Sequence, residues 1–207
     1  MSKSADADPA IRGRILDAAA RAFARRGFDK TTVDDIAGAV GATKGLVYYH
    51  FRSKFDIFLS AYELGMRQVT EIVAPLAESS GSGLERLHGM ALGHMLNLME
   101  DVDYHNVIHL GVRDQDSESL TVRQRDALVE LNQVRRDYEQ LFRGVVEEGV
   151  RDGSVRAVDA SLATRVLLSS LNAADVWYRA QEGQSPEAVR KLAEDVVDVI
   201  LRGVDGR

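Results

Sequence analysis

With no cysteine, three prolines and one tryptophan in 207 residues, the chain is defined first by what it cannot build. Without cysteine there is no disulfide framework, thiolate metal site or sulfur nucleophile, so a reducing, cytoplasmic setting is the simplest expectation. No apolar run approaches the roughly 20 residues of a membrane span, and the opening MSKSADADPA has no signal-peptide character. GxSxG, a phosphate-cradling Gly-rich loop and a dinucleotide fingerprint are all missing, so neither an enzyme nor a cofactor is implied. Strand-like alternation and internal repeats are missing too, and the expected fold is all-α with about nine helices.

What the chain does carry is helical periodicity. Small polar residues occupy about the first eight positions and are expected to be disordered. From about Pro9, Ile11, Ile15, Ala19 and Phe23 mark a helix that ends near Arg25-Arg26-Gly27, where basic residues suit the helix dipole. The stretch TTVDDIAGAVGATKGLVYYHFRSK, residues 31–54, then reads as two short helices and the cap of a third. Thr32 with Asp35 forms a capping box ahead of Val33, Ile36, Ala37 and Val40, and Gly41 stops that helix. Thr43 can cap the next helix, Lys44 to Phe51, and the pair has the proportions of a helix-turn-helix.

The second short helix is oddly built for a core element. It carries Lys44, Gly45, Tyr48, Tyr49 and His50, with only Leu46, Val47 and Phe51 left to pack inward. Polar and aromatic groups at its start suit a helix that enters the DNA major groove, and Gly45 would allow close approach of backbone to the duplex. The run from Gly27-Phe28 through Thr31-Thr32-Val33, Ile36-Ala37, Val40 to Gly45, Tyr48 to Phe51 and Ser53-Lys54 resembles the DNA-binding signature of the TetR family of bacterial transcriptional regulators. The resemblance covers about the first quarter of the chain. Leu46 stands where a small residue or Thr is frequent, and Phe55 where Glu is usual.

The family resemblance implies DNA contacts from Thr43, Lys44 and Tyr48. Tyr49, His50, Thr31, Thr32 and Lys54 are expected to clamp phosphates or support the reader, although capping alone explains Thr32 and His50 could simply bond a neighbouring backbone group. Lys44 and Tyr48 have no evident packing reason to be there. Charge agrees once it is divided. Residues 1–54 hold 10 Lys+Arg and 6 Asp+Glu, while residues 55–207 hold the remaining 16 and 26. The first segment is therefore +4 and the second −10, which recovers the net −6 of the whole chain; the basic footprint lies with the helix-turn-helix. Residues 1–54 are accordingly expected to form the DNA-binding domain, and residues 55–207 an effector-binding and dimerisation domain.

Ser53 with Asp56 caps a helix that runs to about Pro75–Glu78 and starts beside the reader, which makes it a natural lever between two sites. After the loop 78–83, helices are expected at about Leu84–Glu100, Tyr104–Arg113 and 120–150. Asp159 caps another, to about Gln181, and Ser185-Pro186 starts the last. Leu162, Val166, Leu168, Leu171 and Trp177 on one, with Val189, Leu192, Val196 and Val199/Ile200 on the other, either form a dimer interface or close the monomer's core. Resemblance to TetR-type regulators, which dimerise through their last helices, favours a homodimer reading a palindromic operator on double-stranded DNA.

The bundle should also hold a small hydrophobic effector. Met90, Met95, Met99, His109, Tyr138, Phe142, Asn172 and Trp177 mix soft apolar surface with a few polar tips, although each alone is more often core. The segment Asp175 to Arg179 resembles TetR-like regulators that respond to acyl-CoA thioesters or fatty acids. That likeness implies an acyl chain among these residues and phosphates met by Arg113 or Arg179. Two rival readings remain. His105 and His109, one turn apart near Asp101 and Asp103, could share a metal, but HNVIH lacks a hydrolase Glu and a third ligand, so no metal is implied. A constitutive DNA-binding or adaptor protein with a filled bundle is the other.

Overall fold

The computed structural model describes residues 7–114, 120–181 and 183–202, without the side chains of 7, 8 and 112–114. These residues form ten helical segments and no strand. One segment is a single turn, which agrees with the all-α architecture of about nine helices. The expectation of disorder at the N-terminus lies mostly outside the described residues; α1 (Ala7–Lys30) begins at Ala7. None of the described helices is long and apolar enough to cross a membrane.

Two compact units divide the chain, one from residues 1–66 and 103–133, the other from 67–102 and 134–207. The first is built on α1, α2 (Val33–Ala39), α3 (Lys44–His50) and the start of α4 (Lys54–Ala77), joined by most of α6 (Val102–Asp114) and the start of α7 (Val122–Asp152). Its base is a cluster of rings. Phe28 lies 5.7 Å from Phe23, 6.0 Å from Phe55 and 5.3 Å from Phe58, mostly edge to face. Gly27 sets this up: at φ 78° and ψ 167° it breaks the helical path of α1 and turns Phe28 back onto α4. Elsewhere in the unit the Tyr62 hydroxyl donates to Asn132 Oδ1 at 2.9 Å, and a Cβ on Gly111 would lie 2.6 Å from the Tyr62 ring.

The second unit holds the end of α4, α5 (Gly83–Glu100), the rest of α7, α8 (Ala160–Asn172), α9 (Ala174–Trp177) and α10 (Pro186–Arg202). Ser82 and Glu85 close a capping box on α5. There the first turn of α5 touches α7: a Cβ on Gly83 would fall 2.3 Å from Gly149 Cα, and the Gly83 N–H donates to Asp152 Oδ2 at 2.7 Å. The expected continuous helix from Asp159 to Gln181 is instead broken at Ala173. The Ala173 N–H bonds back to Ser169 and a single turn follows, after which Tyr178 is extended at φ −68°, ψ 133°. No Gly or Pro marks the break; it leaves Ala174 and Tyr178 buried while Val176 and Trp177 face out.

A helix-turn-helix with its reader exposed

The helix-turn-helix is assembled by caps. Thr32 and Asp35 form the expected reciprocal pair, Asp35 N–H donating to Thr32 Oγ1 at 3.1 Å and Thr32 N–H to Asp35 Oδ2 at 3.0 Å. These bonds from Thr32, followed by the Arg26 guanidinium 3.0 Å away, hold the Asp35 carboxyl below its usual range. Val40 and Gly41 end α2, Gly41 at φ 66°, and Arg14 on α1 reaches over to the Val40 carbonyl at 2.7 Å. Thr43 then caps α3 by accepting from Leu46 N–H.

What α3 buries is little. Val47 is fully buried and Phe51, just past its end, nearly so; each contributes about 1.5–3 kcal/mol by leaving water. Arg12 on α1 covers the Phe51 ring at 5.1 Å. Everything else on α3 faces outward or is half-buried: Lys44, Gly45, Leu46, Tyr48 and Tyr49 are exposed, Tyr49 by 75%. Large aromatic and apolar side chains held in solvent on a seven-residue helix have no packing role, and such a surface marks a binding face. His50 is half-buried beside the Tyr49 ring at 5.2 Å. A Cβ at Gly45 would meet nothing closer than Thr43 Oγ1 at 3.9 Å, so the fold does not require glycine there.

Of the nine residues expected to serve DNA binding, eight separate into two sets, and half-buried His50 at the end of α3 belongs to neither. Thr43, Lys44, Gly45, Tyr48 and Tyr49 lie on the outer side of α3 or its cap. Lys44 is nonetheless engaged: its Nζ is 2.7 Å from Asp34 Oδ2, and that hydrogen bond first, then the charge, raises the ammonium above its usual range. Thr31, Thr32 and Lys54 do structural tasks. Thr31 is fully buried and its hydroxyl lies within bonding distance of Ala22 O (3.1 Å) and Gly27 O (2.8 Å), so it supports rather than clamps. Lys54 is the surprise. Its ammonium donates to the carbonyls of Phe28 at 2.7 Å, Thr31 at 2.9 Å and Asp29 at 3.3 Å, and sits 4.3 Å over the Phe28 ring. It ties the chain after Gly27 to α4, a cationic residue at a helix N-terminus gathering carbonyls of the preceding turn.

The residues expected at an effector site do not come together as one group. Met95, Met99, Tyr138 and Phe142 are buried in the second unit, where Tyr138 and Phe142 pack edge to face at 5.5 Å. His109 belongs to the first unit, the Arg113 side chain lies outside the described residues, and Trp177 is 51% exposed. Sequence reasoning passed over His94. It is buried between Tyr138, whose hydroxyl is 2.8 Å from Nδ1, and Asn172, whose Oδ1 is 3.1 Å from Nε2. With Asn172 so oriented, Nε2 carries the proton and Nδ1 accepts from Tyr138. Burial pushes the Tyr138 phenol well above its ordinary value. The sequence signal was faint: a histidine beside Met95 and one turn after Met90, on an otherwise apolar face.

On this same side of the second unit, α7 and α8 enclose a pocket of about 350 Å³. Of the residues expected at the effector site only Asn172 lines it; the walls are polar and include Arg135, Arg143 and Arg165. Arg179, the other suggested phosphate contact, is occupied with the carbonyls of Asp175 and Tyr178 at 3.0 and 2.6 Å. His105 is buried and His109 half-buried on α6, and among the described residues no three acidic or histidine side chains are grouped to hold a metal.

Two short capped helices about a glycine turn, the second offering its outer face, define a helix-turn-helix DNA-binding protein. Comparison with known proteins places it further. Residues 15–61 match the family described as bacterial regulatory proteins, tetR family, and residues 80–204 match the tetracyclin repressor-like C-terminal domain. The chain belongs to the TetR family of transcriptional regulators. It is 31% identical over 195 residues to the HTH-type transcriptional repressor KstR2 of Rhodococcus jostii, covering 93% of this chain and 90% of that one. The TetR family regulator PfmR of Thermus thermophilus superposes with a TM-score of 0.74 at 29% identity, over 93% of this chain and 99% of that one. FadR of Bacillus subtilis, solved in complex with stearoyl-CoA, shares the fold at 20% identity and a TM-score of 0.65, over 93% and 99% of the two chains.

Proposed function

We propose that the chain is a homodimeric repressor, acting in the cytoplasm, that binds a palindromic operator through α3 and is released by a small hydrophobic effector, an acyl-CoA or fatty acid. The observation that carries the DNA half is α3 itself, a helix fixed by Val47 with Tyr48, Tyr49 and Leu46 held in solvent. Thr43, Lys44, Gly45 and Tyr48 read bases and adjacent phosphates, while Thr31, Thr32 and Lys54 hold the reader's frame. The basic charge sits in residues 1–54, which suits that segment as the DNA-binding domain and 55–207 as the part that dimerises and senses.

Dimerisation is supported by unpaired apolar stripes on the last helices. Leu168 and Leu171 of α8 turn inward, but Leu162 and Val166 are 57% and 56% exposed. On α10, Ala193 and Val197 are buried, whereas Val189, Leu192, Val196, Val199 and Ile200 remain half-buried or exposed at helical spacing. Two such stripes from each subunit would close a four-helix bundle, and one short reader per subunit needs a partner to read two half-sites about a DNA turn apart. The effector is supported by the buried methionines and aromatics around His94 and by the stearoyl-CoA that the FadR neighbour holds. Release follows if the effector prefers a conformation in which α4 tilts and the two readers lose operator spacing.

The test is a fluorescence-anisotropy titration on DNA flanking the gene, repeated with acyl-CoA thioesters, free fatty acids and unrelated hydrophobic compounds. Salt-sensitive binding released by one acyl class is the expected result. Binding that no compound disturbs supports the second reading, a constitutive regulator whose Met95, Met99 and Phe142 are plain core, and absence of DNA binding sinks both.

A further inference from the structure

We propose that the pocket between α7 and α8 is a binding site for a phosphate-bearing small molecule. Three arginines line it, Arg135 and Arg143 from α7 and Arg165 from α8, against one acidic residue, Glu139. The excess of positive charge stands out in a segment, residues 55–207, whose net charge is −10. The arginines are unequally engaged. Arg143 pairs with Glu147 outside the pocket at 2.9 Å, and Arg135 gives Nη1 to Glu139. Arg165 has no ion pair or hydrogen bond among the described residues.

The second observation is independent of charge. Thr164 is 95% buried, being only 5% exposed, and its hydroxyl has no hydrogen-bond partner although it lines the pocket; the Nε–H of Arg135, which lines the same pocket, is likewise buried and unpaired. Buried donors without acceptors are uncommon because each keeps the cost of its lost water. An acceptor seated in the pocket would satisfy both. Two guanidinium forks, a hydroxyl and an Nε–H exceed what one carboxylate can accept and suit a tetrahedral phosphate, whose oxygens take several charge-assisted bonds at once. A volume of about 350 Å³ admits a nucleotide-sized group or a phosphate ester, not a polymer. With coenzyme A as its ligand the site deepens the acyl-CoA effector reading above and rests on it, whereas a site for phosphate alone does not.

Isothermal titration calorimetry of the full chain with pyrophosphate, coenzyme A and oleate tests it. Coenzyme A, or both phosphate probes, should bind once per chain, and Arg165→Gln should weaken that binding about ten-fold, the loss of one bidentate charged contact. Thr164→Val should weaken it less, and Glu139→Gln should tighten it by removing the opposing charge. Arg190→Gln on α10, an equal loss of charge elsewhere, should change nothing. Pyrophosphate binding would assign the phosphate itself as the ligand group, and coenzyme A binding alone a larger phosphate ester. The proposal is overturned if neither phosphate probe binds, if only oleate binds, or if Arg165→Gln and Arg190→Gln weaken binding equally. Because Arg165 is exposed, its variant keeps the parent's melting curve. Operator binding by that variant reports separately on the repressor reading.

Discussion

Tyr104 on α6 donates its hydroxyl to Asp17 on α1 at 2.7 Å, tying α6 to the first helix within the same DNA-reading unit. Tyr104 is buried and Asp17 exposed, so one end of the bond is screened by water. Tyr104→Phe keeps the ring and removes only this donor. We expect it to lower stability by about 1 kcal/mol, a typical net value for one hydrogen bond. Urea denaturation would show a lower midpoint with an unchanged slope; an unchanged midpoint would mean that water replaces the bond without loss.

Lys44 and Lys54 look alike in sequence and should behave oppositely. Lys44 is exposed and held by Asp34, a contact it can trade for a DNA phosphate. Lys44→Ala should leave unfolding unchanged, weaken operator binding and reduce the slope of log affinity against log salt by about 1 per reader. Lys54 serves three backbone carbonyls. Lys54→Met should cost about 1–3 kcal/mol of stability through the charge-assisted carbonyl bonds it removes, although the Phe28 carbonyl keeps its bond from Thr31 N–H, and leave the salt slope of the folded fraction as it was. Salt-dependent anisotropy together with urea melts of both variants checks the assignment, and a reduced slope for Lys54→Met would return that residue to the DNA surface.

Those two lysines also show how far the sequence could be read. Local signals carried well: Thr32, Asp35, Gly41, Thr43 and Ser53 all act as their types suggest, since a cap or a positive φ depends on residues within one turn. The outward face of α3 was legible for the same reason, having too few apolar positions to bury. Tasks settled across the chain were not. Lys54 meets carbonyls more than 20 residues away, His94 is placed by Tyr138 and Asn172, and the pocket arginines come from two helices. The break at Ala173 also had no local marker. An effector site is a tertiary object of this kind, and a list of Met and aromatic residues at helical spacing could not tell Met95 from Trp177, one buried and one half in solvent.

Gly45 offers a test that separates folding from recognition. Nothing in the protein crowds its absent Cβ, and glycine inside a helix costs about 0.5–1 kcal/mol relative to alanine. Gly45→Ala should therefore stabilise the fold by about that amount while weakening operator binding, because the added methyl stands on the exposed side of the reader. Thermal unfolding and anisotropy on the same preparation decide it. Tighter or equal DNA binding would mean that the duplex does not approach α3 at this residue.

Gly83 and Gly149 make the reverse case, in which glycine is demanded by the protein. The built Cβ at Gly83 would overlap the Gly149 backbone at 2.3 Å, and one at Gly149 would meet Val155 Cγ2 at 2.6 Å. Backbone cannot give way as a side-chain tip can, so Gly83→Ala must move the first turn of α5 off α7. That motion would also stretch the bonds from Gly83 N–H to Asp152 and from Leu84 N–H to Ser154, now 2.7 and 3.0 Å. Overpacking of this sort costs about 1–3 kcal/mol, and Gly83→Ala should sit at the upper end, above Gly149→Ala, whose clash is with a movable valine methyl. Urea midpoints should fall in that order. Hydrogen exchange should report faster opening at the start of α5, with the amides of α2 and α3 protected as in the parent; equal loosening of both regions would mean that the two units unfold as one.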